Sequence, residues 1–577
     1  MPNDHNVKVF TRYAEACTAP GLVTLGGMKL IECVPNFSEG RDPAAIAAIT
    51  AAIEAVEGVT LLDVDPGEAT NRTVVTFVGE PGPVEDAAFA AIAAAAEVID
   101  MATHSGEHPR MGATDVCPFI PMEGAAMDDC IEIARRLGER VGGELGIPVY
   151  LYEHAAHDGR RSLADVRSGE YEGLADRQEG PDYGPPFKQK TGATAIGARE
   201  FLIAYNVNLN TTDRRLAHQV ASAVRTLGTA QRDESGKIVK DENGKTVFTP
   251  GRFEEVKGLG WYIDEYGRAQ VSLNLTDRHV APIHEVFDAC REEATKRGMR
   301  VTGSELVGLV PLDSMLAAGD HYLTAQGSTT AVPEHDRVLA AVLSLGLEEM
   351  GPFDPSQKIV EYRYRGETEG LRTLTIVEFA DELSSASPAP GGGSAAALTG
   401  SLSAALSSMI AAVTHGTAGF EDTRPPMESA GRDAQALKDW FLEAVDRDTD
   451  AFNEFMKAMR MPRNTGADIA ARDAAVAAAS LEATVVPLEM IERAGDALEL
   501  ALTVAQEGNP RTVSDAGVAG VCAVAAAEGA SLNVRINVDD LEGDTTELVQ
   551  RHDAALSRAR DLGRQVAEVV EAALAED

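Results

Sequence analysis

The chain has 577 residues, enough for three or four folding units, and its 51 Lys and Arg against 91 Asp and Glu leave a formal charge of −40 that argues against non-specific nucleic-acid binding. Six cysteines (Cys17, Cys33, Cys117, Cys130, Cys290 and Cys522) stand without metal-ligand spacing and read as reduced core thiols. No apolar run reaches membrane-spanning length free of charge or glycine, and the N-terminus lacks the basic and apolar regions of a secretory signal, so a cytoplasmic protein with no membrane partner is expected.

Residues 1–27 carry no sustained hydrophobic period and read as a disordered extension, with Met28 a candidate start. From Leu30 the pattern is regular. LIECVP reads as a short strand, and Asp42 and Pro43 are N-cap and first-turn signals for a helix that Gly58 stops. VTLLDVD and NRTVVTFVG follow as strands, VEDAAFAAIAAAAEVI as a helix and TDVCPFIP as a strand, the β-α-β-β-α-β order of a split ferredoxin-like arrangement. A helix near 124–143 and the strand IPVYLYE extend it. After the Pro- and Gly-rich stretch 180–192 the order repeats: the strand EFLIAYNVNLN, a helix capped by Thr212 or Asp213, the strands VKGLGWYIDE and AQVSLNL, a helix over 281–297 and the strand VTGSELVGLVP. Between the first helix and those strands, SGKIVKDENGKTVF reads as an exposed insertion with a two-residue hairpin turn at Asn243-Gly244. From about residue 373 the composition turns alanine-rich, with helices expected over 373–385, 393–415, 427–460, 467–505, 513–530 and 543–576. The expected architecture is an α+β N-terminal half of two ferredoxin-like βαββαβ subdomains, 28–200 and 201–364, a linker at 365–372, and an all-α helical bundle over 373–577.

Residues 104–121, HSGEHPRMGATDVCPFIP, place two histidines, a glutamate and an arginine within seven positions. Three readings of His108 stand: a histidine bridging loops by hydrogen bonds, a metal ligand paired with His104, or a general acid and base. Gly106 and Pro109 oppose the helix that would align the pair on a metal. An imidazole titrating near neutral pH, with Glu107, Arg110 and Asp115 to orient it, suits proton transfer better. Asp63 and Asp65 alternate with apolar residues and would face one side of a strand end; Asn71 and Arg72 follow, and a capped turn is the plain alternative. Asn36, Ser38, Glu39 and Arg41 end another strand, either in a site or in a polar turn. Periodicity does not settle whether these loops meet on one edge.

In the helical half, Gly391, Gly393 and Ala396 fit a loose GxGxxA, but the preceding TIVEFADELSS reads as helix, which argues against a dinucleotide fingerprint. Either the glycine turn presents backbone N–H groups to an anionic or carbonyl group, or it is a helix-packing motif. Asp446, Asp448 and Asp450 alternate on a helix and point about 200° apart, so they cannot share a face: one faces a pocket and the others are solvated. The segment lacks the glycine of a calcium loop.

These segments resemble two enzyme families. ECVPNFSEGRD, LLDVDPG, TNRTVVTFVG, GEHPRMGATDVCPFIP, TGATAIGAREFLIAYNVNL, GLGWYIDE and TGSELVGLVPL are similar to glutamate formimidoyltransferase. SASPAPGGGSAAA, VDRDTDAF, MPRNT and NPRTVSDAGVAG are similar to formimidoyltetrahydrofolate cyclodeaminase. The resemblance covers about 28–577, in the order of the fused bifunctional enzymes, and departs from them in the N-terminal extension, the insertion near 233–248 and a segment, YGPPFKQKTGATAIGAR, that looks shortened. It implies transfer of the formimidoyl group from N-formimidoyl-L-glutamate to N5 of tetrahydrofolate, then attack of N10 with loss of ammonia to give 5,10-methenyltetrahydrofolate, steps of histidine degradation and one-carbon metabolism. Tetrahydrofolate, polyglutamylated forms included, would be a co-substrate, no metal would be needed, and the chain would be a homo-oligomer. The resemblance implies His108 and Asp448 as the catalytic acid–base groups, Asp65 in the pocket of His108, and a folate segment of Gly184, Pro185, Pro186, Phe187, Lys188, Gln189, Lys190, Thr191 and Gly192. Arg110 is inferred as a clamp for a substrate carboxylate, and Lys188, Lys190 and Arg199 as holders of a polyglutamate tail. Burial among apolar helices would raise the pKa of Asp448. The competing readings are a metal-dependent amidine hydrolase using His104 and His108, and a folate-binding scaffold that has lost one or both activities.

Overall fold

The first strand of the chain is split at Val34 and Pro35 into β1 (Ile31–Cys33) and β2 (Asn36–Phe37), because a proline has no N–H to give a ladder. The computed structural model describes residues 29–576 except 69, 107–108, 158–160, 265, 366–369, 540 and 542. These fall into two units, one of residues 29–314 and 345–365, the other of residues 315–344 and 370–576. The extension over 1–27 lies outside the described residues.

In the first unit Asp42 accepts the Ala44 amide and Pro43 opens α1 (Pro43–Glu54). Then follow β3 (Val59–Gly67), β4 (Arg72–Gly79), α2 (Pro81–Val98), β5 (Thr114–Pro121), α3 (Met127–Arg140), β6 (Val149–Glu153) and β7 (Thr194–Ala198). The strands form one mixed sheet, ordered β3, β4, β1 with β2, β5, β7, β6; the first four positions pair antiparallel, and β7 is parallel to both β5 and β6. Ile49 and Ile53 of α1, Ala88 and Ile92 of α2 and Ile133 and Leu137 of α3 close a core with Phe77, Phe119, Leu151 and Ile196 of the sheet. This leaves strand ends and their loops to build a site.

A second sheet repeats the order: β8 (Ile203–Leu209), α4 (Arg214–Val224), two short strands β9 (Thr229–Ala230) and β10 (Phe248–Thr249), β11 (Val256–Ile263), β12 (Arg268–Leu275), α5 (Ile283–Lys296) and β13 (Val301–Val307). It is antiparallel, ordered β11, β12, β8, β13. The insertion between β9 and β10 does not make the expected two-residue turn. Asp241 accepts the Gly244 amide and donates its own amide to Lys245, with only Gly244 at positive φ (75°), so Asn243 keeps an ordinary conformation. The Asp241 carboxylate takes the amides of Asn243 and Lys245 and stabilises this longer turn.

The second unit is helical. Two helices for which no expectation was formed, α6 (Leu312–Ala325) and α7 (Glu334–Leu345), precede α8 (Ile376–Leu383), α9 (Gly392–Gly416), α10 (Arg424–Met459), α11 (Gly466–Glu507), α12 (Val513–Val538) and α13 (Thr546–Glu576). α9 packs on α10 and α12, and α11 on α10, α12 and α13. Small residues permit this: a Cβ on Gly400 would stand 2.5 Å from the Phe441 ring. Three helices, Gly392–Gly416, Gly466–Glu507 and Pro510–Val538, are long and apolar enough to cross a membrane by length and composition alone, and alanine supplies much of that hydropathy. The chain is thus an α/β region with mixed and antiparallel sheets followed by a helical region.

Candidate active sites

At one end of the first sheet three loops are tied together by Asn71, held at a φ of 49° that asparagine tolerates. Its Oδ1 accepts the Gly40 amide at 3.0 Å and its Nδ2 donates to Ser105 O at 3.0 Å. Arg41 donates to Glu68 O at 2.9 Å, and the Ser38 hydroxyl donates to Gly112 O at 2.7 Å. The polar residues ending β2, the β3–β4 tip and the 104–112 loop therefore do meet on one edge. Gly106 is required there, since a Cβ would stand 2.3 Å from Thr70 O. Glu107 and His108 lie outside the described residues, directly between Gly106 and Pro109.

His104 is the bridging histidine of this edge. Arg110 Nε donates to its Nδ1 at 3.3 Å, so the ring proton sits on Nε2, 3.1 Å from Asn71 O. The rest of the Arg110 guanidinium is engaged by carboxylates: Nη1 reaches Glu170 at 3.3 Å, and Nη1 and Nη2 grip Glu172 at 2.9 and 2.7 Å. These pairs raise the arginine pKa and lower that of Glu172. His104, Ser105, Gly106, Arg110, Glu170 and Glu172 line an open cleft of about 600 Å³. Beneath it, the fully buried Asp115 accepts the Met111 amide at 2.9 Å and pairs with Arg167. Burial lowers the pKa of the neighbouring Arg72, which Asp115 opposes.

Asp65 is exposed on β3, two positions before Gly67 of the tip, and is not among the residues lining the cleft. Asp63 is half-exposed and faces Arg363 at 3.9 Å. The segment Gly184–Gly192 lies against the 104–113 loop: Gly112 and Gly192 bridge, Ala113 donates to Thr191 O and Met101 to Lys190 O. Gly184 and Gly192 both sit at positive φ, and a Cβ on either would meet a backbone carbonyl at 2.4 or 2.2 Å. Pro185, Pro186 and Gln189 belong to this loop, Tyr171 donates to Gln189 O, and Phe187 is partly exposed beside the Tyr171 ring. The lysine head groups are taken up by backbone carbonyls. Lys190 donates to Glu97 O in the last turn of α2 and Lys188 to Leu145 O, each completing the acceptor end of a helical segment. Arg199 donates to Glu200 O.

The helical unit holds a second cavity, of about 390 Å³, lined by Gly391–Gly393, Asp448, Thr449, Phe452, Phe455, Ser480, Asn533 and Asn537 with smaller apolar groups. The three aspartates divide as helix geometry requires, with one correction. Asp448 faces the cavity and Asp450 is exposed, but Asp446 is not solvated: it accepts the Leu371 amide at 2.7 Å and pairs with Arg372 at 3.3 Å. Asp448 packs on the start of α9, where it takes the Ser394 hydroxyl at 3.2 Å. A Cβ on Gly393 would fall 1.9 Å from its Oδ1. Burial raises the Asp448 pKa from its ordinary value, and hydrogen bonds from Ser394 oppose that rise only in part. An acid that keeps its proton nearer neutrality, beside a glycine-opened helix N-terminus, can protonate a leaving nitrogen.

Three family models match consecutive stretches of the chain: Formiminotransferase domain, N-terminal subdomain, over 30–199; Formiminotransferase domain over 204–365; and Formiminotransferase-cyclodeaminase over 375–555. The formimidoyltransferase-cyclodeaminase of Sus scrofa is 40% identical over 554 residues, covering 94% of this chain and 99% of that protein. The chain belongs to the formimidoyltransferase-cyclodeaminase family. The family's two halves also occur as shorter relatives. Glutamate formimidoyltransferase of Thermoplasma acidophilum is 43% identical over 307 residues, 52% of this chain and 94% of that protein. Methenyltetrahydrofolate cyclohydrolase of Methylorubrum extorquens is 34% identical over 198 residues, 34% of this chain and 95% of that protein. Among solved structures, formiminotetrahydrofolate cyclodeaminase of Thermotoga maritima matches with a TM-score of 0.32 at 24% identity, over 35% of this chain and 98% of that one.

Sequence reasoning missed several lining residues of this family member's helical cavity. Phe452 and Phe455 follow Asp448 by four and seven positions, so helical periodicity alone places them on its face. Asn533 and Asn537 come from another helix and carried no signal, nor did Ser394, which donates to Asp448.

Proposed function

We propose that this chain transfers the formimidoyl group of N-formimidoyl-L-glutamate to tetrahydrofolate in its α/β unit and cyclises the product, with loss of ammonia, in its helical unit. In the first step N5 attacks the formimidoyl carbon, a proton leaves N5, and glutamate departs once its nitrogen is protonated. His108 performs both transfers. The support for it is positional: its neighbours Gly106 and Arg110 line the cleft, and His104 is already committed to Asn71 and Arg110. Arg110 would exchange the exposed Glu172 for a substrate carboxylate, which raises or lowers KM rather than kcat. Asp65, which does not line the cleft, is assigned to this step on the resemblance alone, and the Gly184–Gly192 loop holds folate through its backbone groups and Phe187. With Lys188 and Lys190 engaged on helix ends, a polyglutamate tail would have to displace them.

In the second step N10 attacks the same carbon and Asp448 protonates the departing nitrogen. The observation that carries the reading is Asp448 itself: a carboxyl with its pKa raised by burial, in a cavity whose wall bears two phenyl rings at helical spacing. Neither step calls on a metal, and among the described residues no three His, Cys, Asp or Glu converge as a metal site. The cyclohydrolase-named relative of the helical half favours one further possibility, attack of water on the methenyl carbon at the same cavity.

The strand orders support the finer architecture of two ferredoxin-like subdomains, 28–200 and 201–364, each running second, third, first, fourth strand, with a linker at 365–372 and the cyclodeaminase domain over 373–577. An exposed apolar stripe on α9 and α12, with Leu402, Met409, Val413, Val518, Val521, Leu532 and Ile536, supports a homo-oligomer. A cytoplasmic location without a membrane partner completes the proposal.

The test supplies N-formimidoyl-L-glutamate and tetrahydrofolate singly and together while following glutamate, ammonia and methenyl-tetrahydrofolate absorbance. Ammonia only with both substrates is the expected result. Ammonia from N-formimidoyl-L-glutamate alone would establish a hydrolase, and folate binding without turnover a scaffold.

A further inference from the structure

Asn533 and Asn537 stand one turn apart on α12 and line the cavity of Asp448. Asn537 places its amide N–H on Ala483 O at 2.6 Å. Asn533 has no such outlet: its Nδ2 is buried, and among the described residues nothing accepts from it. A buried amide left without a partner costs about 1–3 kcal/mol, so its place at a cavity wall points to a partner that arrives with the ligand. The amide offers donor and acceptor side by side in one plane, the complement of a lactam edge in which a ring carbonyl adjoins a ring N–H. Among the described residues neither Lys nor Arg lines the cavity, which disfavours a phosphate or carboxylate at this wall. Phe452 and Phe455 supply the flat apolar wall against which a fused heterocycle stacks.

We infer that Asn533 reads the 4-oxo, N3–H edge of the pteridine ring, its Nδ2 donating to the 4-oxo oxygen and its Oδ1 accepting from N3–H. This rests on the reading that the helical cavity holds a reduced folate. Asn533 is then a specificity residue that makes the site prefer a 4-oxo pteridine over a 4-amino one, in which the donor and acceptor positions are reversed.

The experiment assays the full-length protein for the cyclodeaminase step alone, on supplied 5-formimidoyltetrahydrofolate, with 5-formyltetrahydrofolate and its 4-amino-4-deoxy analogue as competing inhibitors. Wild type should be inhibited at least about tenfold more tightly by the 4-oxo compound, the worth of one such hydrogen bond. Asn533→Ala should raise KM more than it lowers kcat and abolish that ratio. Asn533→Asp, with acceptors only, meets one donor and one acceptor on either ring edge and should bring the ratio close to one, whereas a purely structural role for Asn533 would leave it unchanged. An unchanged ratio in Asn533→Asp would overturn the assignment whether or not the alanine variant folds. If wild type neither turns over 5-formimidoyltetrahydrofolate nor is inhibited by either compound, the folate reading itself falls, which is a distinct outcome.

Discussion

At the edge of the α/β unit, Gly40, Asn71 and Ser105 are joined through backbone groups of three separate loops, whereas in the helical unit Asp448, Phe452 and Phe455 project from one face of a single helix. The first site owes its shape to glycine, asparagine and carbonyl contacts that no side-chain substitution adjusts singly. The second owes its shape to the spacing of side chains on rigid helices, where one residue changes without its neighbours. Loop-built chemistry should therefore respond to substitution as a unit, and helix-built chemistry residue by residue.

The largest expected effect isolates the helical site. Asp448→Asn should slow ammonia release by about 10²–10⁴-fold, the usual worth of a positioned acid, while glutamate release keeps its rate. Asp450→Asn, altering the exposed neighbour, should leave both rates near wild type, and equal losses in the two variants would end the distinction between them. Next is Arg167→Ala in the α/β unit, which strands the fully buried Asp115. A cost of about 3–5 kcal/mol is expected in urea unfolding, with transferase loss exceeding cyclodeaminase loss.

A pair of glycine substitutions sharpens the contrast at about 1–3 kcal/mol each. Gly393→Ala drives a methyl into the Asp448 carboxylate and should depress cyclodeaminase kcat alone; Gly106→Ala meets the Thr70 carbonyl and should depress the transferase alone. The smallest effect on either activity is expected from Glu32→Gln. Burial pushes the Glu32 pKa from 4.5 up to about 8, with Arg199 and Arg278 opposing and Glu361 adding. The folded chain thus keeps a proton that the unfolded chain sheds above 4.5, and stability falls as pH rises toward about 8. Urea midpoints at pH 5 and pH 8.5 should differ less in Glu32→Gln than in wild type; an equal difference would show that Glu32 does not set this slope.

How much of this was legible in the sequence follows the same division. Cap signals at Asp42, Pro43 and Asp213 mark real helix starts, because a cap is local chemistry. The Asn243-Gly244 turn fails because the Asp241 carboxylate, outside the dipeptide, chooses a longer one. Helical phase shows that the three aspartates cannot share a face but does not choose among them; the resemblance singles out Asp448, and phase then puts Phe452 and Phe455 beside it. Arg110 was legible as a candidate clamp for a substrate carboxylate, but its partners Glu170 and Glu172 lie about sixty positions away in sequence and occupy the donors that such a carboxylate would need. Lys188 and Lys190 likewise read as a basic patch until tertiary structure places their ammonium groups on helix-end carbonyls.

The most direct test of two independent proton-transfer centres assays both half-reactions in both catalytic variants. His108→Ala should lose glutamate release from N-formimidoyl-L-glutamate yet convert supplied 5-formimidoyltetrahydrofolate at the wild-type rate, and Asp448→Asn should do the reverse and accumulate that intermediate. If either folded variant loses both half-reactions together, or neither, the assignment of one step to each unit is contradicted.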